Sequence, residues 1–364
     1  MQPSERKHRV PAVSRATRVL EALAAADRPC SLAQLSSALG APKSSVLGIC
    51  QALTEERLIT RGVDGTYAPG PRLFELASVA RTQSQPLRKV GFTYPQHEAY
   101  FLAERRQLQV EATAHGIEAD IRCANGSIAI QIDDILAFIA NGVDLILVDP
   151  VISDGLEDVL SKAKAAQITV VAVGSSTSGA DAVVSTDNTK AGALAAGLLA
   201  RVLGGQGTVA VVDGIAITAN ADRISGFLGA MAEHPGISTL VGAHGALNED
   251  SGQAAAREIL ASGEEIDGIF AANDQIGLGI AKVLAEQGKS VPIVSVDGAA
   301  RAIEQIRADG SIVGSAAQNP RRLIMDALEL GSALRSGSGR IQRAVFLPPQ
   351  IVDRTNVEDY QTWE

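Results

Sequence analysis

From Lys89 to about residue 356 the chain alternates apolar runs with alanine-rich stretches, and this alternation restricts its possible folds more than any other feature. The runs KVGFTY (89–94), ADIRC (119–123), LILVDP (145–150), TVVAVG (169–174), AVVSTD (182–187), TVAVVDG (208–214), GIFAAND (268–274), PIVSVDG (292–298) and IVGSAAQ (312–318) read as strands. Most are apolar at consecutive rather than alternate positions. Strands of that kind are buried on both faces, which calls for parallel sheets with helices on either side. Their number suits two doubly wound lobes better than one large sheet. The expected fold class is α/β, with two such lobes behind a smaller N-terminal module.

That N-terminal module differs in charge and in pattern. Residues 1–90 hold 13 Lys/Arg against 7 Asp/Glu, whereas residues 91–364 hold 19 against 34. A basic module can meet a polyanion such as DNA, and an acidic one is repelled by it. Within ATRVLEALAAA (16–26), Val19, Leu20 and Leu23 recur at helical spacing, and Asp27 to Pro29 end the helix. Ser31 with Gln34 forms a capping box for a second helix with Leu32, Leu35 and Leu39 on its buried stripe, and Gly40 suits its C-cap. Pro42 suits the first position of a third helix, PKSSVLGICQALTEE, with Val46, Ile49, Cys50 and Leu53 inward. LITR and TYA around Val63-Asp64-Gly65 read as a hairpin. Three helices and a hairpin make a winged helix-turn-helix.

The outward face of the third helix carries Lys43, Ser44, Ser45, Leu47, Gly48 and Gln51, with no acid until Glu55. Such a face suits a major groove: Lys and Ser reach phosphates, Gln reads base edges, and Gly lets backbones approach. The DNA-binding candidates are therefore Lys43, Ser44, Ser45, Gly48 and Gln51, with Arg61 on the hairpin reaching a phosphate or the minor groove. Arg6, Lys7 and Arg9 form a basic run, either an arm or a solvated stretch. A winged helix that binds protein instead of DNA is the alternative for this module.

In the larger module, polar residues recur at the carboxyl ends of strands: Asp149, Asp187, Asp213, Asn273, Asp274, Asp297 and Gln318. Open α/β sheets bind ligands at that edge, so a shared cleft is expected. Of 12 aromatic residues in the chain, Phe92, Tyr94, Tyr100 and Phe101 fall within ten positions. Flat rings against C–H faces, with carboxylate, amide and guanidinium groups around hydroxyls, make a sugar or polyol site. Phe92, inside its strand, is expected in the core.

Two resemblances follow from these residues. SRATRVLEAL, SLAQLSSALGAPKSSV, LTEERLITR and GTYAPGPRLFELA resemble the IclR-type DNA-binding domain over about residues 10–82. This implies a recognition helix from Pro42, a wing at 58–68 and a linker helix from Pro71 that helps dimerisation. The family's usual ligand-binding pattern does not follow. Instead VDLILVDPVISDGLEDVLSKAKAAQITVVAVG, STDNTKAGALAAGLLA, DRISGFLGAM, GIFAANDQIGLGIAKVLAEQGK and PIVSVDGAARAIEQIRADGSIVGSAAQNP resemble the type I periplasmic-binding-protein fold in its ribose-binding and LacI-type sugar-sensor branch, over about 88–356. Carried over by position, Tyr100 and Phe101 match the aromatic pair that sandwiches a sugar ring, and Arg223, Asn273, Asp297 and Gln318 match hydroxyl-binding residues. Gly174 and Ser175 stand where the ribose binders have an Asp-Arg pair, Glu98 where they have a pocket asparagine, and Tyr94 where they have a serine. Leu247 aligns loosely with another pocket aromatic. The resemblance thus implies a sugar or polyol other than ribose.

Other chemistries leave weaker marks. Cys30, Cys50 and Cys123 show no CxxC or metal spacing and read as packing residues. GSSTSG (174–179) after a strand could cradle a phosphate or form a plain surface loop. LGGQG (203–207) precedes a strand and so is no dinucleotide fingerprint, and neither HExxH nor GxSxG occurs. MQPSERKHRV is charged without an apolar core behind it and does not read as a signal peptide. No run approaches a membrane span. The expectation is a cytoplasmic regulator without cofactor, metal or catalytic residues: residues 1–82 a winged helix, 83–88 a linker, 89–356 a two-lobed sensor, 357–364 a tail. Its partners are double-stranded operator DNA, a small carbohydrate or polyol effector, and further copies of itself as a homodimer or dimer of dimers. A carbohydrate- or nucleotide-using enzyme with an appended interaction head is the competing reading, and a transport binding protein a third.

Overall fold

A computed structural model of the chain describes residues 11–26, 28–62, 64–73, 75–76, 86–244, 246–337 and 341–364. The basic run Arg6, Lys7 and Arg9, residue 27 in the first helix stop, residue 63 in the hairpin turn and residues 83–85 of the expected linker lie outside the described residues. The chain forms two compact units, Met1–Gln85 and Pro86–Glu364.

In the first unit, α1 (Pro11–Ala24), α2 (Leu32–Leu39) and α3 (Lys43–Glu55) precede a hairpin of β1 (Ile59–Arg61) and β2 (Tyr67–Pro69), paired with Arg61 opposite Tyr67. Ser31 and Gln34 close the capping box and Gly40 ends α2 at φ 60°. A cap of this kind contributes about 1 kcal/mol. Pro42 is the N-cap of α3 rather than its first helical residue, so the helix begins one residue later than the sequence pattern suggests. Val19, Leu23, Leu35, Leu39, Val46, Cys50, Leu53, Ile59 and Tyr67 form one core, so α3 is held by its inner face and its outer face is left to solvent. Cys30 exchanges two backbone hydrogen bonds with Tyr67 (2.9 and 2.8 Å), adding an edge to the hairpin. Of the linker helix expected from Pro71, residues 71–73 and 75–76 are helical. Arg57 pairs with Glu75 at 3.1 Å and Arg72 with Glu56 at 2.8 Å, tying that segment to the end of α3.

The second unit holds two six-stranded sheets. The first-lobe strands are β3 (Lys89–Tyr94), β4 (Glu118–Cys123), β5 (Leu145–Val148), β6 (Thr169–Val173), β7 (Ala182–Thr186) and β13 (Ala344–Leu347), ordered β13-β7-β6-β5-β3-β4 and all parallel. The second-lobe strands are β8 (Gly207–Asp213), β9 (Ile237–His244), β10 (Gly268–Ala271), β11 (Ile293–Asp297), β12 (Ile312–Ala317) and β14 (Gln350–Asp353), ordered β14-β12-β11-β10-β8-β9. Only β14 runs antiparallel to its neighbour there. Continuous apolar runs such as Leu145–Val148 and Gly268–Ala271 are buried throughout, as strands covered on both faces must be.

The helices are α4 (Ala99–His115), α5 (Ile128–Ala140), α6 (Glu157–Ala165), α7 (Asn188–Val202), α8 (Thr218–Met231), α9 (Glu249–Ser262), α10 (Asp274–Glu286), α11 (Ala300–Arg307) and α12 (Pro320–Arg335). α7 packs on β11 and β12, while α12 packs on α4, β6 and β7. The backbone therefore crosses between lobes three times: from β7 into α7, from β12 into α12, and from β13 into β14. The strand order of each lobe reverses beside its first strand, and ligands in open α/β sheets bind at the carboxyl ends beside that reversal. Helix-to-helix approach sharpens the placement of one side chain. A Cβ on Gly192 would run into the Arg223 carbonyl, and one on Gly226 into the Thr189 carbonyl, so both glycines let α7 and α8 touch along their backbones.

Candidate functional site

Between the lobes lies a cavity of ≈ 530 Å³ free of protein atoms, part of it open to solvent. Hydrogen bonds join the lobes over it: Ser153 N donates to the Ala216 carbonyl at 3.2 Å, Thr218 N to Ser153 Oγ at 2.9 Å, and Ser176 N to Thr218 Oγ1 at 2.9 Å.

The second lobe supplies an interlocked wall. Arg223, on α8, donates from Nε to Asn188 Oδ1 at 2.8 Å and from Nη1 to the Ala272 carbonyl at 2.7 Å, with Asp297 Oδ1 at 3.7 Å. Gln318, at the crossing after β12, donates to Asp297 Oδ1 at 2.7 Å. Asn273 caps α10, accepting from Ile276 N at 2.9 Å and donating to the Leu247 carbonyl at 3.2 Å. Asp297 ends β11 at φ 131°, a conformation that disfavours side chains and is kept by its surroundings. Burial pushes its carboxyl up to about 6, against the opposing pull of Arg223 and Gln318. Behind it, Asp274 accepts from Ser295 Oγ (2.5 Å), Ser315 Oγ (2.7 Å) and Ala299 N (2.7 Å) and buttresses the strand ends without lining the cavity.

The first lobe supplies rings and unmatched carboxyls. Tyr100 and Phe101, in the first turn of α4, meet edge to face at 5.5 Å between ring centres. Trp363 meets Tyr100 in the same manner at 5.9 Å, and its Nε1 donates to the Asp297 carbonyl at 2.8 Å. Glu98 stands just before α4. Burial raises its carboxyl, and Glu249 and Asp250 add to the rise. Asp149, after β5, lines the cavity and faces Glu104, which is wholly buried on α4. Burial lifts both carboxyls well above their ordinary range, and each bears directly on the other. One proton shared between them is the chemically reasonable state.

Gly174 and Ser175 complete this wall. A Cβ at position 174 would lie 2.8 Å from Asp149 Oδ2, and the residue's φ is 71°. A side-chain carboxylate there, as in the pattern this chain departs from, would force Asp149 to move, strain the backbone and set two carboxylates against each other. The phosphate-cradle reading of GSSTSG loses its first three backbone donors. Gly174 N donates to Val184 O (3.0 Å), Ser175 N to Val173 O (2.7 Å) and Ser176 N to Thr218 Oγ1 (2.9 Å), so these donors are already engaged.

Nine sequence-selected ligand residues thus line one cavity: Glu98, Tyr100, Phe101, Gly174, Ser175, Arg223, Asn273, Asp297 and Gln318. Tyr94 does not. It is 2% exposed, stacked on Phe92 at 5.6 Å and bonded to His97 Nδ1 at 3.2 Å, because an inward position on a central strand belongs to the core. Of the other strand-end acids, Asp187 caps α7 and Asp213 bonds Gly214 N at 2.6 Å, both off the cavity. The residues set apart as a tail are part of the second unit: Val357 and Trp363 are buried and Tyr360 Oη donates to the Gly298 carbonyl. Sequence reasoning missed Trp363, although it is the chain's single tryptophan. It placed Asp149 at the cleft edge but missed its buried partner Glu104, and it missed Asn220, whose Nδ2 donates to the Ile215 carbonyl at 2.8 Å.

On the first unit, Lys43, Ser44, Gly48 and Gln51 are exposed along one face of α3 and Ser45 is half-buried. A Cβ at Gly48 would meet nothing within 4 Å, so nothing inside the unit requires glycine there. Arg61 is exposed on the hairpin with its guanidinium 5.9 Å from the Tyr67 ring centre. Asp64 accepts from Thr66 N (3.1 Å) and Oγ1 (2.7 Å), which fixes the turn and holds its carboxyl below the ordinary range.

Two parallel-sheet lobes closing on a ring-and-carboxylate cavity define a small-molecule binding domain, and the chain couples it to a helix-turn-helix. Residues 90–338 match the periplasmic binding protein domain, and the chain belongs to that family; residues 12–62 match the IclR helix-turn-helix domain. Among similar proteins are the xylitol-binding protein of Mycolicibacterium smegmatis, 28% identical over 74% of this chain and 78% of that one. The ribose import binding protein of Bacillus subtilis is 25% identical over 69% and 82%. A solute-binding protein structure from Mycobacterium smegmatis with bound glycerol superposes at TM-score 0.71, with 28% identity, covering 76% of this chain and 96% of that one. A myo-inositol-bound solute-binding protein from Bacillus halodurans, at TM-score 0.70 and 22% identity over 75% and 97%, shares the fold. Among the described residues no helix is long and apolar enough to cross a membrane, and no cluster of three or more His, Cys, Asp or Glu could hold a metal ion.

Proposed function

We propose that the chain is a transcription regulator of the cytoplasm that reads a small sugar or polyol. The observation that carries this reading is one cavity in which Tyr100, Phe101 and Trp363 face hydroxyl-binding groups on Arg223, Asn273, Asp297 and Gln318, on a chain that also bears an IclR-type head. Relatives named for xylitol and ribose support a polyhydroxylated ligand. Ligand held by both lobes favours their closed arrangement, and in a homodimer that closure would reset the spacing of two heads on a two-fold operator. Coupling of this kind requires different ligand affinity in the DNA-bound and DNA-free states, typically about 5–150-fold.

The test has two parts. A duplex selected from a random pool by the full-length protein is titrated with and without a polyol or sugar that raises Tm in a thermal-shift panel, and the compound is recovered afterwards. A shift in duplex affinity with the compound returned unaltered supports the reading; conversion of the compound would favour the enzyme alternative. Lys43→Ala is expected to weaken duplex binding and to reduce the slope of log affinity against log salt by about 1, the signature of one lost phosphate contact. Failure of wild-type protein to hold any duplex or any polyhydroxylated compound ends the proposal.

A further inference from the structure

The cavity's charge does not balance for a neutral ligand. Its described lining includes one cation, Arg223, whose donors already serve Asn188 and Ala272 and whose charge lies beside Asp297. Against it stand Glu98, Asp149 and Asp297, with Glu104 directly behind Asp149. Even with one proton shared by Glu104 and Asp149, the single guanidinium serves both Asp149 and Asp297 and none reaches Glu98, so the described lining keeps a net negative charge.

The hydrogen-bond inventory points the same way. Oδ1 of Asn220, which is 1% exposed and lines the cavity, has no protein donor, and behind the lining Glu104 has none beyond the proton it shares with Asp149. Asn220 is oriented by its bond to the Ile215 carbonyl, which leaves the acceptor free. A buried acceptor without a donor costs about 1–3 kcal/mol. The occupant should therefore bring donors and positive charge, and no anion. An ammonium brings three donors and no acceptor.

We propose that the effector is an aminated polyol or amino sugar whose ammonium sits at Asp149 in front of Glu104, while its hydroxyls meet Arg223, Asp297 and Gln318. This rests on the reading of the cavity as a polyol site and names which polyols it prefers. A phosphorylated sugar is excluded by the same walls, since the loop N–H groups at 174–176 are spent and its charge would meet carboxylates.

Calorimetric titration of the full-length protein with matched pairs decides the matter: glucose and glucosamine, glucitol and 1-amino-1-deoxyglucitol, inositol and a monoamino-inositol, with glucose 6-phosphate alongside. In at least one pair the amine should bind about tenfold or more tightly than its hydroxyl twin, the scale of one charged hydrogen bond, and the phosphate should not bind. In Asp149→Asn that ratio should fall below about threefold. Glu104→Gln, which keeps shape and removes the second carboxyl, should lower it as well. Hydroxyl compounds that bind as tightly as their amines, or a preference that survives both substitutions, overturns the inference and leaves the polyol-sensor reading standing. Silence from every compound in every pair overturns both.

Discussion

On the second lobe's wall of the cavity, Arg223 is bonded to Asn188 and Ala272, Asp297 accepts from Gln318, and Asn273 caps a helix. On the first lobe's wall, Asp149 faces Glu104, and Glu98 stands in a field of other acids. Apart from the free acceptor of Asn220, the first of these walls has its hydrogen bonds satisfied before any ligand arrives, and the other carries more carboxyl charge than Arg223, shared with Asp297, offsets. A prearranged network is suited to recognising hydroxyls at fixed positions, because it is not reorganised on binding. An unbalanced wall is suited to selecting a charge, because a neutral occupant leaves its repulsion in place.

The largest effect is expected where the interlocked wall is broken. Asp297→Ala removes the acceptor that Gln318 uses and the negative charge beside Arg223, leaving a buried guanidinium with a weaker partner. Removing one member of a buried charged set costs about 3–5 kcal/mol, so ligand affinity should fall about 100-fold or more by calorimetry. Operator binding should be nearly intact. Asp297→Asn, which keeps the shape and one acceptor, should fall less. An Asp297→Ala protein that binds like wild type would mean the two walls do not share one ligand.

Trp363 tests whether the ring surface belongs to the same network. Its indole N–H holds the carbonyl of Asp297 while its ring meets Tyr100, so it links the two walls. Trp363→Ala should lower ligand affinity by about tenfold and cost about 3–5 kcal/mol of stability, read by denaturant titration. Trp363→Phe keeps the ring without the N–H. If it restores stability but not affinity, the hydrogen bond to Asp297 is the component that matters for binding.

These residues also mark where sequence reasoning succeeded and where it ran out. The lobes were legible because runs such as TVVAV and GIFA are buried on both faces and helices fill the intervals. Strands β9, β13 and β14 were not picked out. Each lies at the edge of its sheet: β9 (ISTLVGAH) and β14 (QIVD) carry polar residues within the run, and β13 (AVFL) is four residues long. Asn273, Asp297 and Gln318 were legible because they stand at strand ends, and Arg223 through the resemblance carried by DRISGFLGAM. Tyr94 was misplaced because period-2 alternation on a central strand sends one face to the core regardless of residue type. Glu104 was invisible for the opposite reason: an acid in the middle of a helix reads as solvent-facing, and only the packing of α4 against the β5 end reveals it as buried. Trp363 lies far along the chain from every other ring it meets, and loop-end positions carry no periodicity to announce a contact.

The smallest effect expected is a titration rather than a loss. Burial holds the Glu104 and Asp149 carboxyls well above their ordinary values of 4.5 and 3.8, and the charge of Asp149 raises Glu104 further. A carboxyl whose folded pKa is raised binds its proton more tightly folded than unfolded. Its contribution to stability is complete below the ordinary value and is lost as pH rises through the raised one. Asp297, raised to about 6, and Asp274, raised to about 7 in the second lobe, work in the same direction, so the ligand-free protein should lose stability as pH rises from about 4 towards neutrality. Glu104→Gln replaces the proton-bearing partner by an amide that donates to Asp149 at every pH. It should make the decline of stability with pH shallower by up to about 1.4 kcal/mol per pH unit within that window, one proton's worth. Thermal melts of wild type and Glu104→Gln between pH 4 and neutrality, without ligand, give the difference directly. Parallel curves would mean that Glu104 carries no titrating proton there and that the first lobe's wall is as well matched as the second.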